Sequence, residues 1–269
     1  MNNIDRIYYD LCRKLSQYGA EVKGTKELNN VQITLRNIEE NIVSIRNISP
    51  AYLFGEWIWY FTGRNSVKFI SSFGSMWAKL TDDGVTSNSA YGYIIKRKHG
   101  FDQIETIIAL LKEDPESRRA VININAANAC VITTKDEPCT IALQFMIRDG
   151  KLNCTAMMRS NDIWFGFPYD VAFFTELQKY IADRLQVKYG TYTHFVTSLH
   201  LYERNYEDVK KIIENPMSRP ICFDRKKFHE NVRIVGTIVG NVINSDYPPN
   251  EVKELTLFLA EKYFGFSKF

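Results

Sequence analysis

Apolar residues recur at helical spacing over residues 3–17 (Ile4, Ile7, Leu11, Leu15), which predicts an opening helix. Val31-Gln-Ile-Thr-Leu35 then alternates apolar and polar, as a half-buried strand does. Residues 50–62, with Phe54, Trp57, Ile58 and Phe61, read as a helix crossing the core, and residues 102–113 as a further helix ended by Asp114-Pro115. Strands are expected at Ala120–Asn125, Ala142–Arg148 and Leu152–Arg159, the last two joined by Asp149-Gly150, a strong hairpin signal. An apolar stripe (Val171, Phe174, Leu177, Ile181, Leu185) marks a long helix over 171–185. A strand from His194 to Tyr202 and a helix over 205–214 follow. The mixture predicts an α+β fold in which strands pair locally and helices pack on one face. No repeat, low-complexity tract or Pro/Gly/Ser-rich linker divides residues 1–269, so one catalytic-sized domain is expected.

Hydrophobic residues make up 45% of the chain, enough for a sizeable core, and 17 Phe with 15 Tyr make that core aromatic. The net charge of +3 neither demands nucleic acid nor excludes a small anionic substrate. Five scattered cysteines (Cys12, Cys130, Cys139, Cys154, Cys222) lack Cys-x-x-Cys spacing, which argues against a disulfide framework and a structural zinc site. No apolar run reaches the roughly 20 residues of a membrane span, and the first residues lack a signal-peptide pattern. The expectation is a cytoplasmic protein without a metal.

Candidate chemistry concentrates in two stretches, Asp136-Glu-Pro-Cys-Thr140 and Arg159-Ser-Asn-Asp-Ile-Trp-Phe-Gly-Phe-Pro-Tyr-Asp170. Most intracellular cysteines are small buried hydrophobes; Cys139 instead follows a proline at a turn entering a strand, where a thiol can meet a cavity as a nucleophile. Cys130 and Cys154 lie inside apolar strand patterns and read as ordinary core. Arg159-Ser160, a guanidinium fork beside a hydroxyl, suits a phosphate dianion, and Arg118-Arg119 is either a second clamp or a solvated pair. Glu56, alone in an aromatic run, either faces solvent or is a carboxylic acid with a raised pKa that relays protons. His200 and Tyr202 share one strand face and can address a sugar hydroxyl or each other. His99 and His229, among lysines, read as surface residues.

The ordered set Glu56, Tyr91-Gly92, Ser117-Arg118-Arg119, Pro138-Cys139, Gln144-Phe145, Arg159-Ser160-x-Asp162, Gly166-x-Pro168 and His200-x-Tyr202 resembles the thymidylate synthase superfamily over roughly residues 50 to 210. The resemblance implies a homodimer with a large mixed sheet at its interface, helices on the sheet's other face, and 5,10-methylenetetrahydrofolate as one-carbon donor to a pyrimidine nucleoside monophosphate. It implies Cys139 as nucleophile, Glu56 as proton relay and Tyr91 assisting near the base. Arg159 and Ser160 would hold the phosphate with Arg118 and Arg119 reaching in from the partner, Gln144 would touch the substrate, and His200 and Tyr202 would contact the sugar. Asp162, Trp77, Phe165 and Gly166 would line the folate pocket. The family's N-terminal phosphate arginine has no clear counterpart; Lys23 or Lys26 is the nearest cation.

Two departures narrow the reading. Synthases carry Asn where this chain has Asp170, and His where it has Thr140. An amide pairs with the N3–H donor and O4 acceptor of uracil, whereas a carboxyl sharing one proton pairs with the N4–H donor and N3 acceptor of cytosine. Mispairing of buried polar groups discriminates by roughly 10⁴–10⁵. Asp170, the Cys-Thr pair and Arg-Ser-Asn-Asp-x-x-Phe-Gly-Phe resemble the phage deoxycytidylate hydroxymethylases, so a cytidylate (dCMP or CMP) 5-hydroxymethyltransferase is expected. The ending Phe264-Gly-Phe-Ser-Lys-Phe269 lacks the Pro-Val-Ala type associated with synthases. The alternatives are a thymidylate synthase or uridylate-modifying relative, and a catalytically silent nucleotide- or RNA-binding homologue.

Overall fold

The computed structural model describes residues 3–126, 130, 133–244 and 248–268, with backbone only at 243, 244 and 268. In chain order the elements are α1 (Asn3–Tyr18), β1 (Ala20–Val22), β2 (Thr25–Leu35), α2 (Pro50–Thr62), α3 (Val67–Ser71), α4 (Trp77–Leu80), α5 (Tyr91–Tyr93) with a π turn at Ile94–Lys98, and α6 (Gln103–Glu113). They continue with β3 (Val121–Asn123), β4 (Thr140–Arg148), β5 (Lys151–Met158), β6 (Asn161–Asp162), α7 (Phe167–Leu185), β7 (Lys188–Tyr202), α8 (Tyr206–Glu214), β8 (Ile221–Cys222), α9 (Arg225–Asn244), α10 (Pro249–Phe264) and β9 (Ser267–Lys268). Two compact units emerge, each assembled from separate stretches of chain: 1–47, 104–125 and 139–220 form one, and 48–103, 126–138 and 221–269 the other.

The first unit is a seven-stranded mixed sheet in the order β1-β2-β7-β5-β4-β3, with β6 paired to β7. The β5–β7 and β6–β7 pairings are parallel and the rest antiparallel. The alternation that predicted the strands is visible as burial: Leu152, Cys154, Ala156 and Met158 of β5 are buried, while Asn153, Thr155 and Met157 between them are only partly covered. Helix α7 packs on β5 and β7, and α1 on β2, as expected for helices on one face. Gln178 of α7 spans the parallel pair, its Nε2 donating to Leu152 O (2.8 Å) and Thr191 O (3.1 Å). The connection from α1 and β2 is anchored by Asp5, fully buried, which accepts from Ser44 N (2.6 Å), Ser44 Oγ (2.6 Å) and Ile45 N (3.2 Å).

The second unit is helical. In it α2 packs against α9 and α10, with Phe54, Trp57, Phe228 and Phe264 at its centre. Helix α2 starts on a Ser49 cap whose Oγ accepts from Tyr52 N, with a proline in its first turn, and ends at Gly63 in the left-handed region.

Several expectations shift. Strand β2 begins at Thr25 rather than Val31 and β7 at Lys188 rather than His194, because their outer portions carry polar residues that sheet pairing accommodates. Helix α7 begins at Phe167, since proline is tolerated in a first turn, and β3 is shorter than the stretch expected at 120–125. Helices α9 and α10 were not anticipated. Cys130 is exposed and not part of an apolar strand, whereas Cys154 is buried as read. His229 is no simple surface residue, because its ring lies against Phe61 and Phe228.

Replacing Asp5 by alanine strips three buried donors of a charged acceptor, each bond contributing about 1.5–3 kcal/mol. We expect Asp5→Ala to lower the urea-unfolding free energy by about 3 kcal/mol; a loss below about 0.5 kcal/mol contradicts the anchoring role.

Candidate active site

The hairpin of β4 and β5 brings the predicted nucleophile beside the predicted phosphate clamp. Thr140 pairs with Met158, and one residue further out Cys139 O accepts from Arg159 N at 2.9 Å. A register shift between Thr140 and Ala142 bends the strand there, as bulges do where they re-aim a side chain. Cys139 is partly exposed and Thr140 wholly buried, its Oγ1 without a hydrogen-bond partner among the described residues. Arg159 is exposed, its carbonyl fixed by Thr197 Oγ1 (2.6 Å), and Ser160 Oγ lies 3.5 Å from His200 Nδ1. The rings of His200 and Tyr202 meet edge-on at 5.1 Å, and the Arg204 guanidinium stacks 4.3 Å over Tyr202.

Arg118 and Arg119 are both exposed, and Gln144 Nε2 is committed to Arg118 O at 3.0 Å. Gln144 thus holds the arginine segment. Lys26 donates to Ser16 O (2.9 Å), while Lys23 sits exposed at the β1–β2 turn with φ +47°.

The motif after Ser160 folds tightly. Short β6 sets Asn161 against Leu199 and Asp162 against His200, Ile163 N donates to His200 O, and Gly166 opens α7. A Cβ on Gly166 would fall 2.6 Å from Asn161 Nδ2, so close approach rather than an unusual φ demands glycine. That space lets Asn161 Nδ2 donate to Asp170 Oδ2 at 2.7 Å in the first turn of α7. Asn161 Oδ1 in turn lies 3.1 Å from Nε2 of His194, whose Nδ1 is 2.8 Å from Tyr192 Oη. Burial raises the pKa of Asp170 to about 7, with the Asp162 charge adding to it and the Asn161 bond opposing. Burial lowers that of His194 to about 3, and it raises that of Asp162 against the pull of backbone N–H groups, His200 and Arg204.

Sequence reading passed over four of these residues. Asn161 lay inside the quoted motif, and His194 and Tyr192 share the period-2 buried face of β7. Arg46 carried no local signal: it is buried with its guanidinium 4.8 Å over Trp164, and its Nε and Nη1 have no hydrogen-bond partner among the described residues. Phe165, 44% exposed, has the guanidinium groups of Arg46 and Arg204 over its ring, 5.6 Å and 5.7 Å from the centroid.

The helical unit carries the remaining candidates. Glu56 does not face solvent. It is buried in α2, where Tyr52 Oη donates to Oε1 at 2.9 Å and itself accepts from Trp77 Nε1 at 2.9 Å. Tyr91 is buried and stacked on Tyr60 at 5.4 Å, and a Cβ at Gly92 would lie 2.1 Å from Tyr60 O. Among the described residues no helix is long and apolar enough to cross a membrane, and no cluster of three His, Cys, Asp or Glu forms a metal site.

The thymidylate synthase family pattern matches residues 6–250. The chain belongs to the thymidylate synthase family. It is 30% identical over 235 residues to a deoxyuridylate hydroxymethyltransferase of Bacillus phage SP01, covering 77% of this chain and 60% of that protein. It is 33% identical over 179 residues to one of Pseudomonas phage M6, covering 64% of this chain and 51% of that protein. The chain therefore matches only about half to three-fifths of the length of these relatives. Among solved structures it resembles thermostable thymidylate synthase A from Bacillus subtilis, with a TM-score of 0.69, 20% identity, and 84% of this chain and 90% of that one covered, which places the fold in the family.

The raised pKa of Asp170 has a consequence for stability. Between the unfolded value of 3.8 and the folded value of about 7, the folded chain holds a proton that the unfolded chain has released. The group's contribution therefore declines as pH rises through that window. Asp170→Asn, isosteric and uncharged, should gain on the wild type by more than about 1 kcal/mol between pH 4.5 and pH 8 in urea unfolding. A pH-independent difference contradicts the shift.

Proposed function

We propose that this chain is a folate-dependent cytidylate 5-hydroxymethyltransferase. The observation that carries the reading is a carboxyl, Asp170, at the position where synthases have an amide, half-buried beside Asn161 and Asp162 and with its pKa raised to about 7. At neutral pH such a group readily shares one proton with N3 of cytosine while accepting from N4–H. The similarity to proteins named deoxyuridylate hydroxymethyltransferase supports the hydroxymethyl outcome and makes a uracil nucleotide the second reading.

In the proposed reaction the Cys139 thiolate adds to C6 of the pyrimidine, which makes C5 a carbon nucleophile. Methylenetetrahydrofolate, when bound, supplies a one-carbon unit at the oxidation level of formaldehyde. The residues present fit it: Phe165 offers an exposed ring for a flat heterocycle, Arg204 and Arg46 offer cations for a carboxylate tail, and Asp162 offers an acceptor for ring N–H groups. By the resemblance drawn from the sequence, we also propose Gly166 and Trp77 as folate-binding residues.

After the one-carbon unit joins C5, the C5 proton leaves, the carbon–nitrogen bond to the carrier breaks with release of tetrahydrofolate, and an exocyclic methylene remains on the pyrimidine. Water adds to it, Cys139 is expelled from C6, and the 5-hydroxymethyl base results. We assign proton transfer to Glu56, whose carboxylate accepts from Tyr52 Oη, itself held by Trp77 Nε1, with Tyr91 assisting near the base. Arg159 and Ser160 take the phosphate, and His200 with Tyr202 the sugar 3′-hydroxyl.

We further propose a homodimer built on the sheet face opposite α7. Its residues, such as Gln144, Met146, Asn153, Thr155 and Met157, are only partly covered, and exposed Arg118 and Arg119 would serve the partner's phosphate site.

The test is tritium release from C5-labelled CMP, dCMP, UMP and dUMP with methylenetetrahydrofolate, with product mass read in parallel. Release from a cytosine nucleotide with a hydroxymethyl gain is expected; release from uracil nucleotides alone overturns the base assignment. Cys139→Ala should abolish release while leaving nucleotide affinity within about threefold. Mixing inactive Cys139→Ala and Arg118→Ala chains should restore activity through hybrid dimers, and failure to do so contradicts the shared site.

A further inference from the structure

Asp170 is not an isolated carboxyl. It ends a continuous line of side chains, Tyr192 Oη to His194 Nδ1 (2.8 Å), His194 Nε2 to Asn161 Oδ1 (3.1 Å), and Asn161 Nδ2 to Asp170 Oδ2 (2.7 Å). Every inner member has one donor end and one acceptor end, so the line has two self-consistent polarities. In one, Tyr192 donates to His194, His194 to Asn161, and Asn161 to Asp170 Oδ2, which is then an acceptor. In the other every bond reverses, and Asp170 must carry its proton on Oδ2. Mixed arrangements leave two donors or two acceptors facing each other inside the protein.

The surroundings make the line stiff. His194 is 1% and Asn161 2% exposed, so solvent does not bridge a mismatch. The His194 ring is held edge-on against Phe167 at 5.2 Å, and Gly166 packs so closely on the Asn161 amide that a Cβ there would lie 2.6 Å from Nδ2. Burial keeps His194 neutral, which gives it one donor and one acceptor rather than two donors. The charged neighbours are Asp162 beside Asp170, with His200 and Arg204 acting on Asp162. An ionised Asp170 tolerates only the first polarity, in which the Asn161 amide points its Nδ2 at Oδ2.

We propose that Tyr192, His194 and Asn161 are positioning residues for base selection, fixing Oδ2 of Asp170 as an acceptor and leaving Oδ1 to hold the shared proton. This rests on Asp170 reading the base. A neutral carboxyl by itself does not choose between cytosine and uracil, because its hydroxyl and carbonyl match either base in one of two orientations. A fixed polarity does choose. With Oδ2 toward the 4-position, an acceptor there meets the N4 amino group of cytosine and repels O4 of uracil, while the Oδ1 proton meets N3 of cytosine and clashes with N3–H of uracil. Uracil then requires the whole line to reverse.

The experiment is the ratio of kcat/KM for cytosine over uracil nucleotides, measured with CMP, dCMP, UMP and dUMP in the wild type and in Asp170→Asn, Asn161→Leu, His194→Phe, His194→Gln and Tyr192→Phe. Asn161→Leu and His194→Phe should lower the ratio at least tenfold, chiefly by raising relative activity on uracil. His194→Gln, which keeps a donor for Asn161, should stay within about threefold of the wild type. Should His194→Phe fail to fold, Tyr192→Phe, which loses a single oxygen, carries the test with an expected drop of about threefold. Equal losses on both bases at an unchanged ratio mean a structural role only and overturn the proposal. If Asp170→Asn shifts the ratio while these variants do not, the line is refuted and the base-reader assignment stands. If Asp170→Asn leaves the ratio unchanged, the assignment itself fails and the proposal with it.

Discussion

The parallel alignment of β5 and β6 on β7 is the constraint from which the rest of the sheet unit follows. Parallel neighbours cannot be joined by a tight turn; the chain must cross over the sheet, and α7 is that crossover. Because β6 pins Asn161 and Asp162 to Leu199 and His200, the start of α7 has almost no freedom, and its first turn lies beside Asn161. Buried positions along β7 switch from even numbers (Tyr192, His194, Val196) to odd ones (Leu199, Leu201) between Val196 and Leu199. His194 consequently joins the covered face while His200, an even position too, emerges beside Ser160. One strand thereby serves both the interior support of a carboxyl and the rim of a nucleotide site.

The energetics at Asp170 are a contest that the helix loses. A carboxylate in a first turn gains about 0.3–1 kcal/mol from the helix dipole, and the Asn161 amide donates to it as well. Both favour the charged form. Yet the net shift is upward by more than two pK units, each about 1.4 kcal/mol, because removal from water and the nearby Asp162 charge outweigh them. The same logic, with the sign reversed, holds His194 neutral. Two titratable groups are thus held off their solution behaviour in one small region by burial first, with no salt bridge to either among the described residues.

Much of this was legible in the chain. Period-2 and period-3.6 patterns located β4, β5, α1, α2 and α8 because those elements each bury one face or a whole core helix. The motif from Arg159 to Asp170 marked the site because its residue types are unusual together. Legibility failed where burial is polar. In α7 the residues Thr175, Glu176, Gln178 and Lys179 are all fully buried, Glu176 and Lys179 as an ion pair at 2.8 Å, and a hydrophobic pattern reads such positions as solvated. His194 and Arg46 were missed for the same reason. Glu56 was ambiguous because the side chain that fixes its partner Tyr52, Trp77, comes from a separate helix.

The pairing of β2 with β7 also sets a schedule for synthesis. Leu35 at the end of β2 pairs with Tyr192 in the first third of β7, so the N-terminal hairpin must wait while more than 150 further residues are made. At about 5–20 residues per second that is roughly 8–30 s, during which β1 and β2 are a two-stranded ribbon of marginal stability. An apolar ribbon in that position would invite aggregation. This one is guarded by its composition: Lys26, Glu27, Asn29 and Asn30 interrupt it, and Asn30 takes a left-handed φ of +54° that breaks the flat edge another strand would need. The polar outer half of β2, which concealed the strand from pattern reading, is what lets the nascent chain wait for its partner.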